Sequence, residues 1–250
     1  MWIIKQAKRS RSIKILDNPH NEISKFLTKT YDQLEKAGLD PKKLSSSHDK
    51  FSLDDMADLY DYYSYQLNQY GKFKNGFTRD LYNQIKMIFS IRFQLNYITP
   101  DINRLQTNGI AKEVLQVFKK KISKPTNKLK YFGLSGHDLN IQPLLTQFEV
   151  VDVDCLIRQY KGMPLYKNQK CEKIPEFASN LIWELSMFTN RNKENEYLVR
   201  VLYNGHVIHD CSGDKNSKYI GYCTFEQYEK MSNQKLEVED DAEFGKICRN

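Results

Sequence analysis

Apolar side chains recur at steps of three and four residues through the first half of the chain, the spacing of amphipathic helices. Ile23, Phe26, Leu27, Thr30, Tyr31 and Leu34 share one helical face, and Gly38 then Pro41 supply a stop. After a polar loop from Leu44 to Ser52, Leu53, Met56, Tyr60, Tyr63, Leu67 and Tyr70 form a second stripe. Ser52 and Asp55 have the spacing of an acidic capping box at its start. The tyrosines of this stripe are read as amphipathic core rings rather than a stacking surface for a ligand. Gly71 and Gly76 bracket the next loop, and Thr78 can cap a helix carrying Leu81, Tyr82, Ile85, Ile88, Phe89 and Phe93. A further helix is expected over about 102–121, with Leu105, Val114, Leu115 and Phe118 inward.

The pattern changes after the segment Ser123 to Lys128. Tyr131 to Leu134, Leu181 to Leu185 and Tyr197 to Tyr203 read as strands, and Asn204-Gly205 marks a turn. Leu139 to Phe148 reads as a helix, followed by a long irregular stretch. Thr224 and Gln227 predict a capped helix from Thr224 to Ser232. The expected order is a basic segment over 1–20, a helical region over 21–125 and an α/β half-domain over 126–250.

Charge narrows the partner class only slightly. The formal net charge of +7 suits an anionic ligand. The densest basic cluster, Lys119-Lys120-Lys121 with Lys124, closes a predicted helix, where cations complement the dipole. No base-stacking or groove-reading motif accompanies it, so nucleic acid is not expected. No run approaches the about 18 apolar residues of a membrane span, and the first residues lack a signal-peptide pattern. The cysteines, Cys155, Cys171, Cys211, Cys223 and Cys248, include no CxxC pair, so a structural metal is not expected. Their number permits one or two disulfides and leaves the redox compartment open.

The candidate chemistry lies in His-Asp pairs, which occur at His48-Asp49, His137-Asp138 and His209-Asp210. The first sits in a polar loop, and the last, beside Cys211, suits a strand end. His137-Asp138 follows Ser135-Gly136 where a predicted strand gives way to a helix. A helix that starts there directs unpaired N–H groups and a positive dipole end toward an anion. Gly136 allows backbone approach, His137 can hold a phosphate oxygen, and Asp138 can protonate a leaving alkoxide. The competing reading has Asp138 as a helix cap and His137 packed on the loop. Both stay open on these residues alone.

Beyond the motif, "LDDMADLYDYYSYQL", "INRLQTNGIAKEVLQVF", "LKYFGLSGHDLNIQPLL", "IPEFASNLIWEL", "YLVRVLYNG" and "YCTFEQYEKM" together resemble the histidine acid phosphatases. These form the second branch of the histidine phosphatase superfamily, and the resemblance runs from about Leu53 onward. It implies a partial, parallel-rich three-layer α/β sandwich of the phosphoglycerate-mutase-like kind, with a helical insertion in the first half. It also implies two-step phosphoryl transfer through a phosphohistidine, without a metal or other cofactor. Matched by position, His137 would bind phosphate with Gly136, and Asp138 would act as proton donor. Leu139 stands where the family usually has Thr or Ser. The expected partner is a phosphorylated small molecule. Inositol phosphates, sugar phosphates, lysophospholipids and phosphotyrosine fit that class, and a homodimer stays open.

The resemblance also pairs Cys211 with Cys223, which implies an oxidising compartment. A lysosomal or secreted location follows if the full protein carries a signal peptide. One part of the family pattern is missing. No Arg precedes a His anywhere in the sequence, so the Arg-His-Gly nucleophile motif has no counterpart. His20 lacks arginine partners, and Arg9 and Arg11 lack the expected flanks. The expectation is therefore a C-terminal portion of a phosphatase that is inactive alone. The alternatives are a non-catalytic phosphate-binding relative, or a basic helical interaction module with an α/β tail.

Overall fold

The computed structural model describes residues 30–36, 38–40, 53–73, 77–95, 100–165, 171–189, 194–209 and 221–235, with the single residues 28 and 219. The chain divides into two compact units. The first comprises 1–96 with 151–177, and the second 97–150 with 178–250. The boundary read from the sequence at residue 125 falls inside the second unit.

In the first unit, residues 30–36 are helical, followed by α1 (Leu53–Tyr70) and α2 (Arg79–Leu95). Met56, Tyr60 and Tyr63 of the predicted stripe are buried, whereas Tyr70 is exposed, so the inward face ends a turn early. Ser52 lies outside the described residues, and with it the proposed capping box. Thr78 does cap α2: its Oγ1 accepts from Leu81 N–H at 3.2 Å, which satisfies one of the donors left open at a helix start. Rings fill the space between the helices. Tyr63 stacks on Phe77 at 3.5 Å between centroids, and Tyr60 packs on Tyr82 and Phe89.

Val153–Tyr160 forms a further helix, α5, where the sequence reading had an irregular stretch. Asp152 caps it, accepting from Asp154 N–H at 2.9 Å, and Arg158 Nε donates to Asp154 Oδ2 at 3.0 Å. The second contact is an ion pair across one helical turn. Val153, Cys155, Leu156 and Ile157 are buried, and α5 packs against α2.

Burial in this aromatic core makes the unit sensitive to alkali. It raises Tyr60 well above the ordinary tyrosine range, with Tyr82 adding to the effect, and pushes Tyr63 up to about 12. The cause is the cost of forming a phenolate away from water. Unfolded tyrosines ionise near pH ~10, while these two stay neutral in the folded chain. Stability should therefore be constant below about pH 10 and fall as pH rises through about 12. Tyrosinate absorbance followed beside circular dichroism checks this. Late-ionising tyrosines should titrate only together with loss of helix.

The second unit contains α3 (Pro100–Ser123), α4 (Asp138–Gln147), an antiparallel sheet and α6 (Phe225–Lys235). Its strands are β1 (Leu181–Thr189), β2 (Asn195–Tyr203), β3 (His206–His209) and β4 (Cys223–Thr224). β2 is central, pairing with β1, β3 and β4, and its Leu198, Val199 and Val201 are fully buried. Asn204 and Gly205 have φ of 48° and 82°, which closes the β2–β3 hairpin with the right-handed twist of its strands. Thr224 and Gln227 form the predicted capping box. Gln227 Oε1 accepts from Thr224 N–H at 2.8 Å, and Thr224 Oγ1 from Gln227 N–H at 3.3 Å. α3 packs against α4 and α6, with Phe118 beside Tyr228, while Phe148 at the end of α4 meets Trp183 of β1. Among the described residues no helix is long and apolar enough to cross a membrane.

The mixed α/β class stands, with two corrections. Every strand pair among the described residues is antiparallel rather than parallel-rich. Tyr131–Leu134 is exposed and has no regular secondary structure rather than forming a buried strand, and Tyr131 is 85% exposed. A strand needs a neighbour to take its backbone N–H and C=O groups. No described strand lies beside this segment, so its apolar run faces outward.

The disulfide pattern also needs restating. Cys155 and Cys171 are bridged, with Cα atoms 5.4 Å apart. That separation is ordinary for a disulfide, and the pairing is one the sequence left undecided. Cys223 is disulfide-bonded as well, while Cys211 lies outside the described residues.

Candidate active site

The exposed segment before α4 ends at His137, whose backbone has φ -113° and ψ 172°. These are the angles of a helix N-cap, extended rather than helical. Asp138 is the first helical residue, so the two titratable side chains project from adjoining positions at the positive end of the helix. Gly136, His137 and Asp138 are all exposed. No described apolar side chain covers the imidazole.

Histidine is a poor helix cap, and the next turn compensates. Asn140 Oδ1 accepts from His137 N–H at 2.8 Å, and the His137 side chain faces the Asn140 N–H, completing a capping box. That N–H itself donates to the His137 carbonyl at 2.9 Å. Asp138 Oδ1 accepts from Leu139 N–H at 2.8 Å. Among the described residues Asp138 makes no ion pair, and its second carboxyl oxygen has no partner there. Gly136 does not use a left-handed conformation. Its lack of a side chain matters for another reason: a Cβ there would lie 2.9 Å from Asn140 Oδ1. The sequence reading overlooked Asn140, which is not the Glu or Gln that marks a capping box three residues past an N-cap.

The other His-Asp pairs differ in setting. His48-Asp49 lies outside the described residues, as does Asp210. His209 ends β3, with its ring 5.3 Å from that of Phe148 and its Nε2 3.8 Å from Cys223 Sγ, which is a packing role. Among the described residues, no three or more His, Cys, Asp or Glu side chains gather in a way that could hold a metal ion.

A histidine and a carboxylic acid, both open to solvent at the start of a helix, can bind an oxyanion and pass a proton. The family model for the histidine phosphatase superfamily (branch 2) matches residues 6–204, a span that includes Gly136, His137 and Asp138 and stops before His209. None of the curated proteins compared with the chain matches it. With most of its length matched, including the exposed His-Asp pair of α4, the chain belongs to the histidine phosphatase superfamily, branch 2.

Proposed function

We propose that the chain is the His-Asp half of an acid phosphatase acting on phosphomonoesters. His137 holds a phosphate oxygen beside Gly136. Asp138 gives its proton to the bridging ester oxygen as the P–O bond breaks and phosphorus bonds to the nucleophilic histidine that the family carries in its Arg-His-Gly motif, so the alcohol departs neutral. In the second step the same carboxylate takes a proton from the water that attacks phosphorus, breaking the P–N bond and releasing that histidine and phosphate. The supporting observation is the placement of both side chains, uncovered, at the N-terminus of α4 within the matched family span.

The His137 side chain faces the Asn140 N–H. The absence of any Arg-His dipeptide favours a second reading, a relative that binds phosphorylated ligands without turnover. On either reading the nucleophile is not supplied by an Arg-His-Gly motif of these 250 residues, and the chain alone should show little turnover. The proposal extends to a Cys211–Cys223 disulfide and to an oxidising compartment, lysosomal or extracellular.

Orthovanadate mimics the phosphoryl group and tests both phosphate readings. At about 100 times its Kd it should stabilise the chain by about 2.7 kcal/mol. That corresponds to a rise in Tm of about 5–10 °C for a chain of this size. His137→Ala should remove most of the rise. An unchanged Tm at saturating vanadate and phosphate would count against both readings.

A further inference from the structure

If His137 binds phosphate as proposed above, something must hold its ring and backbone in one direction on an exposed surface. Three contacts converge on Asn140. Its Oδ1 takes the His137 N–H at 2.8 Å. Its own N–H lies against the His137 side chain while bonding the His137 carbonyl at 2.9 Å. Its amide also occupies the space above Gly136, where an added Cβ would come within 2.9 Å of Oδ1 and 3.3 Å of Cγ.

We propose that Asn140 is a positioning residue of the phosphate site. By clamping the His137 backbone, it fixes where the imidazole stands at the head of α4. The ring is thereby placed before any ligand arrives, so less ordering remains for binding to accomplish. The same clamp requires glycine at 136: a larger residue would push the Asn140 amide off the His137 N–H.

A plain helix cap would have the same contacts but different consequences, and a control separates them. Thr146 Oγ1 donates to the Gln142 carbonyl at 3.0 Å, at the far end of α4. Thr146→Gly weakens the helix there without touching His137. The full chain contains five histidines, few enough to resolve their ring nitrogens by NMR. Without ligand, Asn140→Ala should speed exchange of the His137 amide by about three- to tenfold and shift its ring nitrogen signals. Asn140→Asp, which keeps the acceptor oxygen, should restore both, and Thr146→Gly should leave both as in the parent. Unchanged His137 signals in Asn140→Ala, or equal changes in Thr146→Gly, would overturn the proposal.

Orthovanadate then supplies the functional arm. It should shift the His137 ring signals of the parent and bind Asn140→Ala about three- to tenfold more weakly. Vanadate that leaves the parent's His137 unmoved overturns the phosphate site itself. The ligand-free amide and ring-nitrogen readouts judge Asn140 in either case.

Discussion

Replacing Cys155 and Cys171 together by Ala should lower stability by about 3 kcal/mol and Tm by about 6–12 °C. The bond joins positions with a sequence separation of 16. A closed loop of about 15 residues is worth that much in unfolded-chain entropy. In the folded state the bond does more than shorten a loop. Cys155 lies fully buried on α5, and Cys171 begins a segment that returns across the first unit. Cys171 bridges Val151 through the backbone, Ile174 is buried, and Ile174 N–H donates to Ser90 Oγ at 3.0 Å. Glu176 pairs with the largely buried Lys86 of α2. Releasing the bond thus loosens a segment that satisfies a buried hydroxyl and a nearly buried cation. Alanine avoids leaving a serine hydroxyl unpaired at the Cys155 site. Thermal unfolding of oxidised, reduced and doubly substituted chains decides the matter. A loss below about 1 kcal/mol would mean that the other tethers hold the segment alone.

The pattern of what the sequence disclosed follows from the range of each interaction. Thr78 and the Thr224–Gln227 box act within one helical turn, and both appear in the structure as their spacing predicted. The stripe of Met56, Tyr60 and Tyr63 is equally local, and it buries as expected. α5 was legible in principle, from the Asp152 cap and the spacing of Val153, Leu156 and Ile157. So short a helix, however, makes a weak periodic signal. Tyr131–Leu134 failed for a different reason. Its composition is that of a strand, but strand formation depends on a neighbouring backbone that composition does not supply. The Cys155–Cys171 pairing likewise depends on how the chain between them folds back, and several cysteines admit many pairings. The start of α4 was legible at His137 and Asp138. The part played by Asn140 was not, because it rests on an amide closing over Gly136.

Asp138→Asn should cost about 10²- to 10⁴-fold in turnover of alkyl phosphates. The comparison requires a chain supplied with a nucleophile, for example one preceded by an Arg-His-Gly segment of the family. An alkoxide leaves poorly unless it is protonated as the P–O bond breaks, whereas nitrophenolate departs without help. Turnover of nitrophenyl phosphate should therefore fall by no more than about tenfold. The structure makes Asn a clean substitution. Its Oδ1 can still accept the Leu139 N–H that Asp138 Oδ1 takes at 2.8 Å, and the Asn140–His137 bond is untouched. The start of α4 is kept while the transferable proton is lost, so a leaving-group-dependent loss reports acid catalysis rather than a disturbed helix. Equal losses on both substrates, with vanadate binding retained, would remove Asp138 from the role of acid and leave His137 as the ligand-holding member of the pair.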